Sequence, residues 1–103
     1  MAYKLRFIQR FKHRKTEEFL EIEKKFEQFE KDFPEFPKGK RFLPHSGKLP
    51  HNTLIWECDF DSLEELQKAH DFLMNDDRHE QLFKEQSQYI MKTYTEIYKP
   101  YDN

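Results

Sequence analysis

Between Tyr3 and Lys12 the side chains alternate in character: Leu5, Phe7 and Phe11 share one face, and Arg6, Ile8, Arg10 and Lys12 share the other. A period of two is the pattern of a strand with one buried face. From Thr16, a helix-capping residue type, the period lengthens to three and four. Phe19, Ile22, Phe26, Phe29 and Phe33 then fall on one helical stripe, with acids and lysines elsewhere. Pro34 stops that helix, and residues 34–39 read as a loop. Lys40 to His45 predicts a short strand, confined to an edge or a bulge because Pro44 lacks a ladder donor. After a turn over Gly47 to His51 comes the clearest strand, Asn52 to Phe60. Its Leu54, Trp56, Cys58 and Phe60 point one way, and Thr53, Ile55, Glu57 and Asp59 the other. Ser62 and Glu65 have capping-box spacing and open a second helix with Leu63, Leu66, Leu73 and Met74. Asn75-Asp76-Asp77 interrupts it and caps a third helix with Leu82 and Phe83, before a last strand from Met91 to Tyr98.

The order β-α-β-β-α-(α)-β predicts an α+β, ferredoxin-like fold: one four-stranded antiparallel sheet with helices on a single face. Length allows one domain, residues 1–103. The other sheet face then lies bare. It presents Arg6, Ile8 and Arg10 from the first strand beside Ile55, Glu57 and Asp59 from the third. Charge segregates in the same sense, with six bases and no acid in residues 1–15 and five acids and no base in residues 57–65. Opposite charges on neighbouring strands attract. The expectation is an ion-pair layer beneath a second sheet, and hence a partner copy of the chain, because mutual compensation offsets desolvation there.

Composition narrows the function classes. The 103 residues hold 18 bases and 20 acids, a formal charge of −2, and eleven phenylalanines provide core despite a hydrophobic fraction of 36%. Apolar runs are no longer than Leu54-Ile55-Trp56, which excludes a membrane span or signal h-region and makes the cytoplasm the default location. The single cysteine rules out a disulfide scaffold, and two glycines leave no phosphate-cradling loop. RNA-recognition domains share this element order, and residues 4–15 are basic and rich in aromatics. Phe7 and Phe11 nevertheless belong to the apolar face, and the outer face of the third strand is acidic, so nucleic-acid binding is disfavoured.

Candidate chemistry is sparse. Trp56 can form the wall of an apolar pocket or simply core. Cys58 faces the same way and, with no base or positive field beside it, reads as a small buried hydrophobe. The five histidines show no ligand spacing, so neither a metal nor a cofactor is expected. His45 and His51 flank the turn and are placed to meet near Arg41 as an acid/base or anion-binding cluster. His70, one turn beyond Leu66, faces the sheet. These three are the candidates for catalysis.

The run His51-Asn52-Thr53-Leu54-Ile55-Trp56-Glu57-Cys58-Asp59-Phe60-Asp61-Ser62-Leu63-Glu64-Glu65, with Ser46-Gly47 ahead and Asn75-Asp76-Asp77 behind, resembles the dimeric α+β barrel superfamily. Within it the likeness is greatest to NIPSNAP-type proteins and antibiotic-biosynthesis-monooxygenase domains. The resemblance implies a homodimer of facing sheets, each subunit holding a cleft between sheet and helices. Here Trp56, Cys58, His70, His79 and Tyr94 would line it. It further implies a small, mostly apolar ligand and cofactor-independent oxygenation. The alternative is a non-catalytic dimeric binding or assembly module whose cleft is filled by phenylalanines. Heme-degrading relatives carry an asparagine on the first strand, a tryptophan in the helix after the third and a histidine in the next helix. In this chain the nearest positions are Gln9, Ala69 and Phe83, with His79 one turn earlier, so heme lacks its ligand at the expected place.

Overall fold

In the computed structural model, which describes residues 2–102, seven elements follow in the predicted order. They are β1 (Tyr3–Phe11), α1 (Thr16–Asp32), β2 (Lys40–Phe42), β3 (Thr53–Phe60), α2 (Leu63–Asn75), α3 (Asp77–Ser87) and β4 (Ile90–Tyr98). The strands form one antiparallel sheet in the order β2-β3-β1-β4, the α+β, ferredoxin-like arrangement. The alternation in β1 and β3 sends Leu5, Phe11, Leu54 and Trp56 toward the helices. Leu5, Phe36, Trp56, Leu66 and Leu73 make one buried cluster, and Phe11, Phe19 and Leu54 a second. Each such side chain taken fully out of water stabilises the fold by roughly 1.5–3 kcal/mol.

Local chemistry sets the helix starts. Ser62 Oγ accepts from the Glu65 amide at 3.1 Å and opens α2. Asp76 Oδ1 accepts from the amides of Arg78 and His79 at 2.9 and 3.1 Å, which restarts the chain as α3. The entry to α1 differs from expectation. Thr16 is already the first helical residue, Lys15 flanks it with no side-chain cap, and Arg14 makes the reversal at φ 70°. β2 ends at Phe42 rather than His45; it is an edge strand, and Pro44 could not have extended its ladder. Leu63 and Met74, expected on the buried stripe of α2, are exposed near the two ends of the helix, and Leu66 and Leu73 are its buried residues.

On the helix-free face Arg6 stands opposite Glu57 and Ile8 opposite Ile55. Arg6 Nε lies 2.9 Å from Glu57 Oε2, and its Nη1 donates to Glu96 at 3.1 Å. The predicted pairing of Arg10 with Asp59 does not form. The antiparallel register places Lys4 against Asp59, at 3.0 Å, and leaves Arg10 exposed between Thr53 and Lys92. Ile8 and Ile55 are already buried in the single chain, while Phe42, Tyr94 and Tyr98 stay exposed around them.

Candidate functional site

A cavity of about 290 Å³ opens between the sheet and the helices. Its wall is largely apolar, with Phe7, Phe26, Phe36, Trp56, Leu73 and Phe83 among the lining residues. The Phe7 ring stacks on the Trp56 indole with centroids 5.0 Å apart, which holds the tryptophan in one orientation.

One end of the cavity is polar, and α1 supplies it. Glu23 and Glu30 are seven residues apart, two helical turns, so they project from the same face of α1 as Phe19 and Phe26. Arg41, facing inward from β2 opposite Trp56, answers both. Its Nε donates to Glu23 at 2.6 Å, and its Nη2 and Nη1 donate to the two oxygens of Glu30 at 2.6 and 3.2 Å. Glu30 also accepts from the Gly39 amide at 3.0 Å and from Trp56 Nε1 at 3.3 Å. Gly39 is required for space, since a Cβ there would fall inside the Trp56 indole. Gln86 from α3 donates to Glu23 at 2.9 Å and to the Phe19 carbonyl at 3.3 Å, and its own Oε1 has no partner. Burial opposes the charge on Arg41, but the carboxylates of Glu30 and Glu23 outweigh it and hold the guanidinium above its ordinary pKa.

His79 packs against Phe26, ring centroids 5.1 Å apart, and also lines the cavity. Burial lowers its pKa from the usual imidazole value, against the pull of Asp76 and Glu30. At neutral pH it is an uncharged proton acceptor.

Of the other residues expected at a cleft, Trp56 lines the cavity and the rest divide. Tyr94 borders it, but strand alternation aims its ring at the helix-free face, where it stands opposite Ile8 and beneath the Lys92 ammonium. His70 packs its ring 6.0 Å from Phe7, outside the lining. Cys58 is also outside it; the thiol donates to the Lys38 carbonyl at 3.4 Å, and burial, aided by the Asp59 and Glu30 charges, pushes its pKa up to about 11. His45 and His51 form no cluster with Arg41. Both are exposed on the β2–β3 loop, because the two buried carboxylates draw the Arg41 side chain inward. Sequence reasoning missed Glu23, Glu30 and Gln86, and it grouped Arg41 with His45 and His51 instead of with the two acids. The signal was present in α1, where Glu23 and Glu30 interrupt the apolar stripe between Phe19, Phe26 and Phe33.

Sheet order, helix placement and the interlayer cavity together define an α+β protein of the ferredoxin-like kind with a cleft of small-molecule size. No protein-family model and no curated protein matches the chain. Solved structures do. A NIPSNAP family protein from Agrobacterium tumefaciens superposes with a TM-score of 0.77 at 20% identity, over 99% of this chain and 95% of the other. An uncharacterised NIPSNAP domain protein from Burkholderia xenovorans gives 0.70 at 16% identity, over 99% and 96%. An antibiotic biosynthesis monooxygenase gives 0.75 at 8% identity, over 95% and 97%. The chain therefore shares the fold of NIPSNAP and antibiotic-biosynthesis-monooxygenase proteins. Among the described residues no helix is long and apolar enough to cross a membrane.

Proposed function

We propose that the chain is a homodimeric protein that binds a small, mostly apolar molecule in the interlayer cavity and oxygenates it without a resident cofactor. The observation that carries this reading is the open cavity itself. The phenylalanines line it instead of filling it, as a purely structural module would require, and its volume is at the lower end of ligand-sized pockets. The reaction is argued from His79 and from the monooxygenase named among the structural neighbours. A neutral imidazole in the lining can take a proton from a bound carbon acid, whose electrons then pass to dioxygen. A methylene becomes a carbonyl, and the second oxygen atom leaves as water, so no further reductant is needed.

Trp56 is the only tryptophan and reports occupancy directly. Titration with phenethyl alcohol should change its fluorescence saturably, and Leu73→Phe, which fills the cavity, should abolish the change; a linear response unaffected by that substitution overturns the binding reading. Dimerisation is supported by Phe42, Tyr94 and Tyr98, exposed around Ile8 and Ile55 and flanked by ion pairs. Light scattering should give a dimer that Phe42→Glu with Tyr94→Glu dissociates. A wild-type monomer at micromolar concentration refutes it.

A further inference from the structure

We infer that the cavity selects a ligand carrying a protonated primary amine on an apolar body, with the ammonium seated between Glu23 and Gln86. This inference rests on the binding reading above and adds the chemistry of the ligand's head group.

The two carboxylates beside Arg41 are not equivalent. Glu30 accepts four hydrogen bonds, two on each oxygen, and is fully occupied as a brace for Arg41, Gly39 and Trp56. Glu23 receives one donor on each oxygen, Arg41 Nε on one and Gln86 Nε2 on the other, so each retains an acceptor position. Beside it Gln86, a fully buried residue of the cavity lining, has an Oε1 with no partner. Its amide cannot be reversed to remedy this. Nε2 faces the Phe19 carbonyl and a Glu23 oxygen, and a flip would set oxygen against oxygen at both contacts. Native interiors rarely leave such a group unpaired, and an ammonium held at Glu23 would satisfy it once the side chains that close Oε1 off from the cavity shift aside.

Charge points the same way. Glu23, Glu30 and Arg41 sum to one excess negative charge, whereas Glu80, also in the lining, is exposed and paired with Lys84. A carboxylate or phosphate ligand would be repelled, whereas one ammonium neutralises the buried trio. The aromatic faces of Phe7, Phe26 and Trp56 suit a cation close to an apolar body. Only an amine with N–H bonds can serve Gln86 Oε1, so a quaternary ammonium meets the charge requirement and leaves the oxygen unpaired.

The test compares four probes of one size at neutral pH, followed by Trp56 fluorescence: phenethylamine, phenethyl alcohol, hydrocinnamate and phenethyltrimethylammonium. Phenethylamine should bind about tenfold more tightly than the alcohol, a typical gain for a charge-assisted contact, with hydrocinnamate weakest and the quaternary compound several-fold below the amine. Glu23→Gln should bring amine and alcohol to equal affinity. Gln86→Leu should equalise the primary and quaternary amines. If either variant does not fold, the wild-type ranking alone decides. Saturable binding of the alcohol with no preference for the amine overturns this inference and leaves the binding reading standing; failure of all four probes removes both.

Discussion

Replacement of Arg41 by methionine keeps the aliphatic stem and removes the charge at the centre of the buried cluster. Glu23, Glu30 and Arg41 side chains are only 8, 13 and 14% exposed, so water cannot take over the lost contacts. Removing one partner of a buried ion pair costs about 3–5 kcal/mol, because the remaining charge stays desolvated. Here two carboxylates are stranded together, so the upper part of that range is expected. A surface pair provides the control. Lys84 and Glu80 are 75 and 59% exposed, and Lys84→Met should cost less than about 0.5 kcal/mol. Urea unfolding followed by Trp56 fluorescence, at fixed protein concentration, measures both. Against a total of about 5–15 kcal/mol the first loss is large and the second barely visible. A loss below about 1 kcal/mol would refute the account of Arg41 as the counter-charge of two buried acids.

Three further outcomes follow from the same geometry. Gly39→Ala should destabilise by about 1–3 kcal/mol and shift the Trp56 emission, since the new methyl collides with the indole; a neutral effect in urea unfolding would show that the Gly39 loop moves freely. His79 holds a lowered folded-state pKa through burial, so the unfolded chain binds more protons as pH falls below the usual imidazole range. Acidification should therefore cost stability, by at most about 1.4 kcal/mol per pH unit for this one group, and His79→Phe should flatten that part of the profile; an unchanged slope in the variant refutes the assignment. With its thiol pushed up to about 11 from 9.0, Cys58 should alkylate at mildly alkaline pH about 100-fold more slowly than an exposed thiol, and rapid labelling by iodoacetamide would contradict its burial.

Periodicity and caps made most of the fold legible. The alternation of β1 and β3, the stripe of α1 and the Ser62 cap are all relations between residues a few positions apart, and each survives in the structure. The opposing faces of β1 and β3 followed from the same pattern. Errors arose where a distant partner decides. Asp59 meets Lys4 instead of Arg10 because ladder register is a property of two strands. The face on which Tyr94 lies depends on a register irregularity beside Arg10 and Phe11, and one extra residue in a strand reverses every side chain beyond it.

From its sequence alone the chain determined its elements, their order and the apolar faces that must be covered, since backbone stiffness and hydrophobic spacing act locally. Tertiary structure decided which charges are buried. Glu23 and Glu30 look like two more acids on a polar helix until β2 brings Arg41 beneath them and α3 brings Gln86 beside them. The desolvation that gives this cluster its energetic weight exists only after elements far apart in the chain have excluded water from one another.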